Sequence, residues 1–133
     1  MNIDTSTNKV APKVINISTK YLKKLGYKNL EEWLKTSKNH VYIGRDMQFY
    51  VAGSVGSKWQ NPFPVKKYGL EQCLKLYEEH IKNNELIKDV IELNNCILGC
   101  WCKTNSSLDN NKINCHGDIL VKLFKEHFKN KIN

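Results

Sequence analysis

Cys96-Ile97-Leu98-Gly99-Cys100-Trp101-Cys102 is the stretch on which the fold turns. It is a nearly continuous apolar run, preceded by Asn94-Asn95 and followed by a polar segment, 103–114, rich in Asn and Ser. An apolar run of this length between turn residues reads as a strand buried on both faces, the habit of parallel sheets covered by helices. On such a strand Cys100 and Cys102 leave one face and Trp101 the other.

The neighbouring segments agree. Upstream, Leu70, Leu74, Tyr77 and Ile81 recur at helical spacing from Gly69, and a second helix over about 85–93 places Leu86, Ile87, Val90 and Ile91 together. Residues 46–68 carry Gly53, Gly56, Pro62 and Pro64 with no sustained period, and read as a long loop. His40-Val41-Tyr42-Ile43-Gly44 is β-branched and aromatic, a second strand closed by Gly44-Arg45-Asp46. Asn29 followed by Glu32 is a capping pattern for a helix over 30–36. Val14-Ile15-Asn16-Ile17, after Pro12, is a short strand. Downstream, Leu120, Leu123, Phe124 and Phe128 mark a last helix starting near Cys115. The order predicts an α/β fold with a small, mostly parallel sheet flanked by helices. Residues 1–11 are expected to form a disordered tail, and 12–130 a single domain.

A chain of 133 residues suits one domain. Met1 to Asn8 hold no apolar run and no stretch approaches a membrane span, so the expectation is a cytoplasmic protein without a membrane partner. The five cysteines, an odd number, argue against a disulfide framework in a reducing compartment. Cys73 reads as packing beside Leu70, Leu74 and Tyr77, and Cys96 as facing one side of a strand. The net charge of +8 makes nucleic acid a candidate partner. The excess gathers in Lys9–His40, where eight lysines meet Glu31 and Glu32, and in the tail from Lys122 to Lys131. Twenty lysines accompany a single arginine, Arg45. Against so strong a lysine bias, that arginine suggests a planar, bidentate grip on an anion, although chance survival is the plainer alternative.

Three constellations carry chemistry. In Asn114-Cys115-His116-Gly117-Asp118, a helix start gives free N–H groups and a positive dipole end that favour an anion and a thiolate. Cys115, His116 and Asp118 are thereby candidates for nucleophile and proton transfer, with Gly117 letting a ligand reach the backbone. A capped helix in which Cys115 packs and His116 hydrogen-bonds is the competing account. Cys100, Cys102, Cys115 and His116 number four soft ligands, the set for a tetrahedral zinc, at an unusual spacing. No cofactor is predicted; zinc is the alternative. In Gly56-Ser57-Lys58-Trp59-Gln60-Asn61-Pro62-Phe63, Lys58, Trp59 and Asn61 can grip, stack and read a nucleobase, or Trp59 and Phe63 can fill the core beneath a proline turn.

His40 to Arg45, Gly56 to Phe63, Leu98-Gly99-Cys100-Trp101-Cys102 and Cys115 to Leu120 together resemble the hallmark blocks of the family called domain of unknown function 4326, from about Pro12 to Phe124. That family is spread among bacteria, phages, fungi, other eukaryotes and large DNA viruses. It normally places a proline turn and Cys-His soon after the cysteine pair, whereas Lys103 to Asn114 is longer and lacks proline. A weaker similarity links the chain to another uncharacterised α/β family with a Cys-His-Arg helix start and suspected nucleotide-related roles. The resemblance implies the fold and the site, not the reaction. The leading expectation is a small enzyme or binding protein for a nucleotide, nucleoside or nucleobase: Arg45 and the Cys115–Asp118 turn hold an anion, Trp59 and Asn61 a planar group. The alternative is a zinc-stabilised module that binds nucleic acid without catalysis.

Overall fold

The computed structural model describes residues 8–101 and 115–129. Three parallel strands, β1 (Lys13–Asn16), β2 (His40–Tyr42) and β3 (Ile97–Cys100), form one sheet in the order β1-β3-β2. The decisive apolar run is the central strand: Val14 pairs with Leu98 on one side and Val41 with the same residue on the other. Leu98, Gly99 and Cys100 are all buried.

Side-chain alternation along the strands feeds two cores. Val14, Val41, Ile43, Leu98 and Cys100 join the larger one beneath α4 (Leu70–Asn83), α5 (Leu86–Asp89) and α6 (His116–His127). Ile15, Ile17, Tyr42, Ile97 and Trp101 join the smaller one with α1 (Thr19–Lys24) and α2 (Leu30–Thr36). The chain crosses the sheet outward through α1–α2 and returns through α4–α5. Keeping one hand while reversing direction sends the two crossings to opposite faces. The result is an α/β/α sandwich. Gly99 lets the smaller core close, since a Cβ there would lie 2.6 Å from Ile17 Cγ2 and 2.9 Å from a Trp33 ring carbon.

Most predicted elements are present, with shifted limits. Asn29 caps α2 by accepting from Glu32 N–H at 2.9 Å, and Glu32 in turn accepts from Lys28 N–H at 2.8 Å. The helix expected over 85–93 is α only to Asp89. Val90–Leu93 tightens to a 3-10 turn that buries Val90 and Leu93 and leaves Ile91 at 40 % exposure. Asn95, at φ 60°, ends it. Cys96 precedes β3 rather than lying on it, its thiol donating to Glu92 O at 3.4 Å. Two helices escaped the sequence reading. One is α1, which buries a single residue, Leu22; the other is α3 (Val65–Tyr68), one turn that buries none. Residues 1–7 of the expected tail lie outside the described residues, but Val10 is tied to the body. Its N–H donates to Asn94 Oδ1 at 2.8 Å and its carbonyl accepts from Asn95 N–H at 2.7 Å. No described helix is long and apolar enough to cross a membrane.

Candidate functional site at the carboxyl edge of the sheet

Because the strands are parallel, Asn16, Tyr42 and Cys100 end at one edge. The connection after β1 leaves toward α1 on one face, while α6, the next described element after β3, packs on the other. Neighbouring strands whose connections part in this way form the crevice where open α/β sheets take ligands. Asn16 stands there. Its Oδ1 accepts from Ser18 N–H at 2.8 Å and its Nδ2 donates to Trp101 O at 3.4 Å, bridging β1 and β3.

Two hydrogen bonds extend the edge from β2. Ile43 N–H continues the ladder to Gly99 O at 3.0 Å, and Ile43 O accepts from His116 Nε2 at 2.8 Å. A carbonyl can only accept, so Nε2 carries a proton and Nδ1 is the other ring nitrogen. His116 is 6 % exposed and meets Tyr77 edge-on at 5.1 Å between ring centroids. Burial, and then the negative charge that Cys115 would carry as a thiolate, push the Tyr77 phenol well above its ordinary pKa. It therefore stays a neutral donor, to Trp59 O at 2.6 Å.

Cys115 is the N-cap of α6, with Sγ accepting from Gly117 N–H at 3.4 Å and 1 % of the residue exposed. Asp118, half-buried in the first turn, donates its N–H to Cys115 O at 2.9 Å. Gly117 is not the opening for a ligand that the sequence suggested. A Cβ there would lie 2.9 Å from both Ile43 Cδ1 and Val14 Cγ1, so the missing side chain lets α6 sit flush on the sheet. Packing is its job.

Arg45 lies just past β2, exposed, with no carboxylate among the described residues within ion-pair distance. Its backbone is fixed rather than its head. Tyr42 Oη donates to Arg45 O at 2.6 Å and accepts from Trp101 Nε1 at 2.8 Å. Burial raises the Tyr42 pKa, against the lowering pull of Trp101 and of the Arg45 charge. Gly44 is needed for this hook, because a Cβ would meet the Tyr42 ring at 2.5–2.8 Å. Tyr42, Asn16 and Trp101 were not read from the sequence as site residues. A polar side chain at the end of a buried strand was the available signal for Asn16.

The 56–63 loop reaches the same edge, with Ser57 Oγ donating to Tyr42 O at 3.4 Å. Two of its chemically rich side chains, Trp59 and Asn61, however, turn inward, and the third, Lys58, is ion-paired at the surface. Trp59 is 3 % exposed and belongs to the larger core, so its indole offers no open stacking face. Asn61 has both ends of its amide engaged: Nδ2 donates to Cys73 Sγ at 3.1 Å and Oδ1 accepts from Phe63 N–H at 2.9 Å. Lys58 reaches Asp89 at 3.0 Å and Glu92 at 2.8 Å, and lies 5.3 Å from the Trp59 ring centroid. Among the expected ligand-binding residues, Arg45 has its functional group exposed at the edge, while Lys58, Trp59 and Asn61 hold the loop together.

For the zinc alternative, Cys102 lies outside the described residues. Cys100 and Cys115 are both buried in the larger core, and His116 commits Nε2 to Ile43. Among the described residues, no group of three or more His, Cys, Asp or Glu side chains is gathered closely enough to hold a metal ion.

A model of the family described as Domain of unknown function (DUF4326) matches residues 27–126. The chain belongs to that family. The match opens at Tyr27 rather than near Pro12, which leaves β1 and α1 outside it although β1 is an integral strand of the sheet. An uncharacterized protein of Acanthamoeba polyphaga mimivirus is 35 % identical over 86 residues, covering 64 % of this chain and 66 % of the viral protein. That share is just under two-thirds of the relative's length. No solved structure matches the chain.

Proposed function

We propose that this DUF4326 protein binds a nucleotide, nucleoside or nucleobase at the carboxyl edge of its sheet, a nucleotide through its phosphate, and acts on it there. One observation supports the reading above the others. The exposed guanidinium of Arg45, with no carboxylate among the described residues within ion-pair distance, follows by two residues the carbonyl that fixes His116, on the edge where parallel sheets receive ligands. Arg45 grips the anion through two parallel N–H···O bonds, a geometry that an ammonium does not offer. Trp101, partly exposed and oriented by Tyr42, replaces the enclosed Trp59 as the planar face. His116 is the proton-transfer group through Nδ1, with Cys115 and Asp118 beside it in the first turn of α6.

Calorimetric titration with ribonucleoside monophosphates, nucleosides and free bases tests the proposal. Monophosphates bind the wild-type protein, and Arg45→Lys, which keeps the charge and removes the fork, weakens them about tenfold at unchanged Tm. A panel without a binder, or equal affinity in Arg45→Lys, contradicts it.

A further inference from the structure

The two helical layers of the sandwich differ in charge. Residues 65–93 and 116–127, on the face of the larger core, carry seven lysines against eight carboxylates. Several are paired: Lys82 and Lys122 with Glu78 at 3.0 and 2.9 Å, and Lys88 with Glu85 at 2.9 Å. The α1–α2 layer, residues 19–38, carries six lysines (20, 23, 24, 28, 35 and 38) against Glu31 and Glu32, a net +4. All six are exposed, and none stands within ion-pair distance of a carboxylate among the described residues. Unpaired ammonium groups on one face repel each other and gain from a polyanion that releases its counterions.

Aromatic groups lie on the same face. Tyr21 sits between Lys20 and Lys24, whose Nζ atoms are 5.8 and 5.6 Å from its ring centroid. More telling is the loop after Arg45. It is closed by Met47 N–H to Ser54 O at 2.8 Å, Tyr50 N–H to Met47 O at 2.9 Å and Ser54 Oγ to Val51 O at 2.6 Å. Val51 packs into the smaller core, and a Cβ on Gly53 would lie 3.1 Å from Leu34 of α2. This anchored loop carries Phe49 at 95 % and Tyr50 at 87 % exposure, while every other exposed large apolar residue among those described is at 58 % or below. Two adjacent aromatic rings held in water on a closed loop mark a contact surface.

We propose that the α1–α2 face, with the Phe49-Tyr50 tip, binds single-stranded nucleic acid. The lysines track the phosphates, and the two rings stack unpaired bases, which a duplex does not present. Glu31 lies beside Gly53 of this loop, and Asp46 accepts from Gln48 N–H at 3.2 Å. Lys20, Lys23 and Lys24 precede the stretch matched by the family model, so this part of the face is supplied by the chain's own N-terminal segment.

Fluorescence anisotropy with a labelled oligothymidylate of about 12 nucleotides tests the proposal. Binding is expected at low salt and falls steeply as salt rises. Phe49→Ala with Tyr50→Ala weakens it about tenfold or more. Lys20→Gln, Lys24→Gln and Lys28→Gln together flatten the logarithmic salt slope by about 2. Lys66→Gln with Lys67→Gln, on the opposite layer, leaves it unchanged, and far-UV circular dichroism verifies that each variant is folded. Absence of binding, equal affinity for a duplex of the same length, or full binding by the aromatic variant overturns the proposal. Binding to anionic lipid vesicles in place of the oligonucleotide also overturns it and assigns the face to a membrane surface.

Discussion

The segment between Gly44 and Pro64 divides into halves that treat their side chains in opposite ways. In the second half, Lys58, Trp59 and Asn61 have the chemistry of a binding loop, yet each is consumed by an internal partner: Asp89 and Glu92, the core, and Cys73 with Phe63. In the first half, the backbone closes on itself and the side chains of Arg45, Phe49 and Tyr50 are left to solvent. A buried polar group must find its partner inside, so a chemically rich motif serves packing wherever its hydrogen bonds are already complete. Function belongs where they are not.

Stability measurements can break this contrast. Trp59→Ala should show the largest effect, a loss of about 3–5 kcal/mol in urea unfolding, because it removes a 3 % exposed indole from the larger core and leaves a cavity. A loss under about 1 kcal/mol would mean that the indole is available to ligand after all. Asn61→Ala comes next, at about 1–3 kcal/mol, since it leaves Phe63 N–H without its acceptor and Cys73 without its donor. An unchanged midpoint would detach Asn61 from the scaffold. Phe49→Ala and Tyr50→Ala should each stay within about 0.5 kcal/mol. A larger loss would show that the tip supports the fold.

How far the sequence could be read follows from what each feature depends on. The central strand and α4 were legible because burial imposes a pattern on side-chain type, continuous apolar in one and helically spaced in the other. The helix α1 was not, for Thr19–Lys24 places one residue in the core and gives no period to detect. Its start relies instead on Asn16 accepting from Ser18 N–H, a local bond without an apolar signature. Arg45 and His116 stood out by rarity and by motif, and the parallel sheet gives them a common edge. The inward turn of Trp59 and Asn61 depends on Tyr77 and Cys73, 18 and 12 residues away along the chain. Short-range pattern holds no record of such pairings. Phe49 and Tyr50 sit in an aperiodic stretch where only the tertiary anchor of Val51 decides which neighbours face out.

Where a nucleotide settles is the most direct question to put to the molecule. Adding ribonucleoside monophosphates to isotope-labelled protein and following backbone amide shifts by NMR answers it in one titration. Saturable shifts are expected at Asn16–Ser18, Ile43–Arg45, Trp101 and Cys115–Asp118, along the carboxyl edge. Absence of shifts would contradict the proposed site. So would shifts gathered at the opposite edge, around Val10–Lys13 and Asn95–Ile97, or in the groove of about 490 Å³ that Leu70, Leu74, Ile119 and Lys122 line between α4 and α6.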